Sequence, residues 1–170
     1  TADTLVSGTI PHWLGASPLR RIEMDEMRLS GTLPPMLTRS DMLDHIEMDQ
    51  NRISGTIPAS LGDSGALALT RLQLGKQPIS GTIPPQLGKL GEIRKMILHY
   101  SHLSGTLPLS LFNERTATLV DLMLDENPIS GTLPPSLFKM AGLKRLLIEG
   151  TRIGGDVHEL PALQRIDMIR

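Results

Sequence analysis

Cysteine is absent from the 170 residues, and the only aromatic side chains are Trp13, Tyr100, Phe112 and Phe138. Without cysteine there is no disulfide framework, no thiolate metal site and no cysteine nucleophile. Charge of one sign is lacking too: 17 basic residues face 18 acidic ones, a net −1. No global field therefore draws nucleic acid or anionic lipid to the chain. Long hydrophobic runs are missing, and none approaches the ~18 residues of a membrane span. Also missing are a phosphate-binding loop, a dinucleotide fingerprint and a Gly-x-Ser-x-Gly elbow. Hydrophobic content of 39 % with balanced charge still argues against disorder. A core this poor in aromatics cannot draw its burial from Phe, Tyr and Trp, so it must be built another way.

Glycine (16) and proline (13) are plentiful, and they are placed periodically. Ser-Gly-Thr-Ile/Leu-Pro begins at Ser7, Ser30, Ser54, Ser80, Ser104 and Ser130, with a degraded copy at Gly154-Gly155-Asp156-Val157. The glycines recur every 23 to 26 residues, which is the signature of a repeat architecture. Leu19, Leu43, Leu69, Ile93, Leu119 and Leu143 each stand 12 positions before the following glycine, whereas the distance from a glycine to the next such residue varies from 8 to 14. One half of the unit thus keeps register, as stacked strands must. The other half is elastic and sits outside the stack.

Strand alternation puts Ile22/Met24, Ile46/Met48, Leu72/Leu74, Met96/Leu98, Leu122/Leu124, Leu146/Ile148 and Ile166/Met168 on one inward face. Val6, Leu29, Ile53, Ile79, Leu103, Ile129 and Ile153 add another inward residue per unit. The elastic half carries Leu14, Leu37, Leu61, Leu87, Leu111 and Leu137 in segments short enough for 3₁₀ turns. The prolines end each extended segment.

The unit resembles that of the leucine-rich repeat family in its plant-type subclass, and the copy Leu43–Leu61, LDHIEMDQNRISGTIPASL, follows that pattern nearly throughout. The resemblance runs over the whole chain. It implies an α/β-type, right-handed solenoid with a concave parallel sheet and convex 3₁₀ turns. We expect one domain over 1–170 of about seven repeats, roughly 30 Å along the stack. The family's internal asparagine ladder is here Met27, Asn51, Gln77, Ser101, Asn127 and Thr151, so it should be looser. The cysteine-paired caps of plant receptor ectodomains are missing, and a solenoid needs capping units. We therefore expect both ends to be cut, with the shortened loop 157–162 as the start of a cap or with neighbouring subunits covering the open coils. The resemblance favours an extracellular or membrane-tethered setting, with an organellar assembly as the alternative.

The concave face is where repeat scaffolds bind. Its first outward column reads Glu23, Glu47, Gln73, Ile97, Met123, Leu147, Asp167, and the next Asp25, Asp49, Gly75, His99, Asp125, Glu149, Ile169. A third reads Glu26, Gln50, Lys76, Tyr100, Glu126, Gly150, Arg170. The column before them is mostly basic: Arg21, His45, Arg71, Lys95, Asp121, Arg145, Arg165. Ile97, Met123 and Leu147 make a solvent-facing apolar stripe with Tyr100 beside it and His99 at its edge, a candidate protein-binding hot spot. Gly75 should leave a notch beside His99. Glu23, Asp25, Glu47 and Asp49 would either steer a basic partner or pair with the basic column.

The Ser-x-Thr pairs form a hydroxyl array that serves local hydrogen bonding or, alternatively, an ice-binding surface. Catalysis has little support: His99 and His102 lack a carboxylate pair at metal-ligand spacing, and Ser136–Lys139 falls in the convex half. The expectation is a non-enzymatic recognition module without cofactor, metal or nucleic acid, binding a protein or peptide. A scaffold subunit of a large assembly is the alternative.

Overall fold

The computed structural model describes residues 8–63, 68–154 and the backbone of 167–169. The expected Val6, Arg165, Ile166, Arg170 and loop 157–162 lie outside the described residues, as do the side chains of 167–169.

Each coil contributes two short strands. The concave set is β2 (Arg21–Glu23), β4 (His45–Glu47), β6 (Arg71–Gln73), β8 (Lys95–Ile97), β10 (Asp121–Met123), β12 (Arg145–Leu147) and β14 (Asp167–Ile169), joined in that order into one parallel sheet. The other set is β1 (Gly8–Thr9), β3 (Leu29–Thr32), β5 (Arg52–Thr56), β7 (Ile79–Thr82), β9 (His102–Thr106), β11 (Ile129–Thr132) and β13 (Arg152–Gly154), a second parallel sheet in chain order. The elastic halves form 3₁₀ turns such as His12–Ala16, Pro85–Lys89 and Pro135–Lys139, and one short helical turn, Ser60–Asp63. The solenoid is as the repeat implied, but Ser-Gly-Thr is itself a strand, so the coil has two sheets.

The core is a stack of aliphatic ladders. Ile46, Leu72, Met96, Leu122 and Leu146 are buried in one, and Met48, Leu74, Leu98, Leu124 and Ile148 in the next. Leu29, Ile53, Ile79, Leu103 and Ile129 close the second sheet, and Leu37, Leu61, Leu87, Leu111 and Leu137 fill the convex side. Met24 and Leu14, near the first described coil, are only partly buried against this cluster. Like residues stack on like residues, so no ring is needed to span a globular interior.

Register differs from expectation in one place. The alignment put Asp167 in the column of Leu147, but β14 pairs Asp167 with Arg145, Met168 with Leu146 and Ile169 with Leu147. The shift is two residues, an even number, so the backbone register stays in step with the alternation of β12.

Candidate functional site

The concave strands are three residues long, yet their ladder continues. Met24 N–H donates to Glu47 O (2.8 Å), Leu74 to Ile97 O (2.9 Å) and Leu124 to Leu147 O (2.8 Å). Beyond it the backbone turns at one repeated position, Glu26, Gln50, Lys76, Tyr100 and Glu126, all at φ between 48° and 58°. Non-glycine residues take this left-handed conformation at some cost. Amide bonds to the following coil, such as Tyr100 N–H to Asp125 O (2.9 Å), hold it there. Tyr100 therefore stands in the turn just past β8 rather than on the strand, and it is 54 % exposed.

Ile97, Met123 and Leu147 are direct register partners on β8, β10 and β12. All three are half-buried on the outward side. The His99 and Tyr100 rings meet edge to face, centroids 5.4 Å apart. The notch expected at Gly75 is filled: a Cβ there would collide with the His99 ring and backbone. The His99 side chain lies over Gly75 instead of standing up from the face, and its Nδ1 is 3.6 Å from Asp125 Oδ2.

The charges separate into two edges. On the strand-entry edge the basic column is answered by carboxylates. Asp44 meets Arg20 (3.3 Å), Arg21 (3.6 Å) and His45. Arg71 pairs with Glu47 at 2.6 Å. Asp121, almost fully buried, takes two bonds from Arg145 (2.8 and 2.7 Å) and lies 3.6 Å from Lys95. The Arg145 bonds hold the Asp121 carboxyl below its ordinary range against the opposing effect of burial. For Asp44, burial acts upward, but the His45 hydrogen bond and the two arginines outweigh it and lower the carboxyl.

The strand-exit edge is different. Asp25 accepts from Asp49 N–H (2.7 Å) and Asp49 accepts from Gly75 N–H (2.7 Å). Among the described residues neither carboxylate has a cation within ion-pair distance. Burial, then the nearby Glu47, Glu26 and Glu23, push Asp25 upward, and burial followed by Asp25 does the same to Asp49. Of the four acids singled out from sequence, Glu47 is neutralised on the face and Glu23 reaches Arg21 at 3.8 Å. Asp25 and Asp49 hold backbone amides instead. The sequence reading missed Asp44 and did not single out Asp121 as a hub. Its available signal was an acid one residue ahead of, or within, a basic column.

On the second sheet, Ser30, Ser54, Ser80, Ser104 and Ser130 each donate to the glycine carbonyl of the preceding coil at 3.2–3.4 Å. Thr9, Thr32, Thr56, Thr82, Thr106 and Thr132 are exposed, one per coil.

A family model described as Leucine Rich Repeat matches residues 118–140. No curated protein matches the chain. Solved structures do. The plant peptide hormone receptor RGFR1 in complex with RGF2 superposes with a TM-score of 0.87 at 31 % identity, over 95 % of this chain and 25 % of that one. The ectodomain of the Arabidopsis receptor kinase HAESA, in complex with an extended IDA peptide hormone, gives 0.85 at 28 % identity, over 96 % and 27 %. A plant ice-binding protein gives 0.78 at 25 % identity, over 90 % and 50 %. The chain spans about a quarter of the length of these two receptor chains.

Proposed function

This chain belongs to the leucine-rich repeat family in its plant-type subclass, and from that premise we propose that it recognises a protein or peptide through its concave sheet. One observation carries the reading: Ile97, Met123 and Leu147 form a register-matched apolar column facing solvent on three neighbouring strands, with exposed Tyr100 at its edge. Strands in a sheet lie about 4.8 Å apart, so the column is contiguous. Contiguous exposed apolar surface with an aromatic anchor is what interface hot spots use. The peptide complexes of RGFR1 and HAESA support the same class of ligand. The His99 ring meets the anchor edge to face, while Glu23, Asp25, Glu47 and Asp49 lie at the ends of β2 and β4 or just past them.

The test is selection of displayed random dodecapeptides on the chain, followed by their binding to a Tyr100→Ala, Met123→Asp double variant. Capture should be lost with the thermal midpoint unchanged, because both side chains lie outside the core. Capture that survives the double change overturns the reading.

A second reading rests on the other sheet. Its exposed threonine row, one residue per coil, and the likeness to a plant ice-binding protein favour a surface that orders water. Inhibition of ice recrystallisation that disappears in a Thr32→Leu, Thr56→Leu, Thr82→Leu variant would support it. A parent chain without inhibition removes it.

A further inference from the structure

The concave face has two chemically distinct halves, and we infer that its ligand is an extended peptide joining an arginine to an apolar anchor about five residues away. The guanidinium seats between Asp25 and Asp49, and the anchor covers Met123. This rests on the concave-face reading and specifies its ligand class.

The argument begins with the orientation of the two acids. Each has one oxygen pinned by an amide of the following coil, Asp49 N–H and Gly75 N–H, both at 2.7 Å. The side chains are thereby aimed before any ligand arrives. No hydrogen bond or ion pair among the described residues uses the second oxygen of either. The acids sit one strand step apart, about 4.8 Å, within the reach of a single planar guanidinium that donates along two directions. A lysine ammonium lacks that fork.

Charge complementarity selects a cation. On the opposite edge Arg20, Arg21, Arg71, Lys95 and Arg145 are already answered by Asp44, Glu47 and Asp121. Asp25 has Glu47, Glu26 and Glu23 adding the same sign nearby, and Asp49 feels Lys76 and His99 without either coming within ion-pair distance. Burial raises both acids; Glu47, Glu26 and Glu23 also repel Asp25, and Asp25 repels Asp49 against the opposite pull of His99 and Lys76, so an incoming cation offsets the repulsive part.

Spacing then sets the register. From the midpoint of β2 and β4 to β10 is about 17 Å of strand steps. An extended chain covers this in about five residues. The path between the halves crosses β6 at Gly75, where the space above the backbone is taken by the His99 ring.

The probe is again a displayed random dodecapeptide library, panned in parallel on the parent chain and on an Asp25→Asn, Asp49→Asn variant. Asparagine keeps the oxygen that accepts each amide, and circular dichroism melts confirm folding. Peptides from the parent should be enriched in an arginine about five residues from a large apolar residue. The arginine preference should vanish on the variant while the apolar preference stays. In a synthetic peptide from the enriched set, replacing that arginine by glutamine should weaken binding about tenfold to the parent and less than about twofold to the variant.

Apolar-anchored peptides without arginine enrichment, or an arginine preference that survives on the variant, overturn this inference and leave the concave-face reading standing. Peptides indifferent to Met123→Asp, or a library that yields no binders, overturn both.

Discussion

Asn51 ties two coils together from inside. Its Nδ2 donates to Met24 O, Met48 O and Asp49 O, and its Oδ1 accepts from Met27 N–H and Leu29 N–H. Asn127 repeats the pattern for Leu98, Leu124, Asp125 and Leu103. At the same position Gln77 is 4 % exposed, and neither its Nε2 nor its Oε1 has a partner. One extra methylene moves the amide off the carbonyls that asparagine reaches. Each unmade buried bond costs about 1–3 kcal/mol. Gln77→Asn should therefore raise stability by about 1–2 kcal/mol, while Asn51→Ala should lower it by more than about 3 kcal/mol, both read from urea unfolding. That the ladder is interrupted was legible in the sequence. That Ser101 is satisfied through His99 O (3.3 Å) while Gln77 is not depends on where neighbouring carbonyls stand.

Asp25 and Asp49 make a second residue-scale prediction. Both are raised above their ordinary values, so the folded state holds protons that the unfolded chain releases. Their contribution is most favourable below the unfolded carboxylate value and is lost as pH rises through the raised folded values. Asp25→Asn with Asp49→Asn should consequently melt higher than the parent at neutral pH, with the gap closing as pH falls towards about 4. A melting difference independent of pH would contradict this. The unneutralised pair destabilises the free protein as pH rises.

At the scale of elements, two close approaches of backbone hold the coils at their spacing. On the convex side a Cβ on Gly62 would overlap the Gln86 carbonyl, and one on Gly88 the Ser110 carbonyl. These clashes are with backbone of the next coil, so no side chain can rotate away. Gly62→Ala or Gly88→Ala should force adjacent turns apart and cost several kcal/mol (about 2–4), seen as a lower denaturation midpoint. On the second sheet Gly81, at φ 79°, has the Thr56 methyl where its Cβ would be, at 2.8 Å. The invariance of Ser-Gly-Thr thus has a packing cause: the serine bonds back, the glycine makes room, and the threonine methyl fills it. The repeated strings revealed that the segment is regular, but not that it pairs into a sheet of its own. Its register is staggered by two residues between coils, with Thr56 opposite Ser80, and nothing in the spacing of the repeats encodes that stagger.

For the whole molecule, a stack in which each coil touches only its neighbours distributes stability by position. Coils with a neighbour on both sides bury their ladders fully, as at Leu72, Met96 and Leu122. Near the first described coil, Leu14 and Met24 remain partly open. Amide exchange should therefore be slowest on β6, β8 and β10 and fastest on β1 and β2. Leu72→Ala should cost about 2–5 kcal/mol and shorten protection across the neighbouring coils as well as its own. Uniform protection along the chain would argue against nearest-neighbour stacking.

The sequence alone determined the solenoid, because period, alternation and fixed-length half-units are one-dimensional properties of a one-dimensional stack. It also determined which side chains of the described coils face inward and which form the apolar column, since alternation assigns faces without knowledge of neighbours. Only the tertiary structure decided what stands next to what across coils: Arg71 on Glu47 but no cation on Asp25 or Asp49, His99 folded over Gly75, and Ile169 rather than Asp167 opposite Leu147. Such pairings depend on side-chain reach and on a register that alternation leaves ambiguous by two residues.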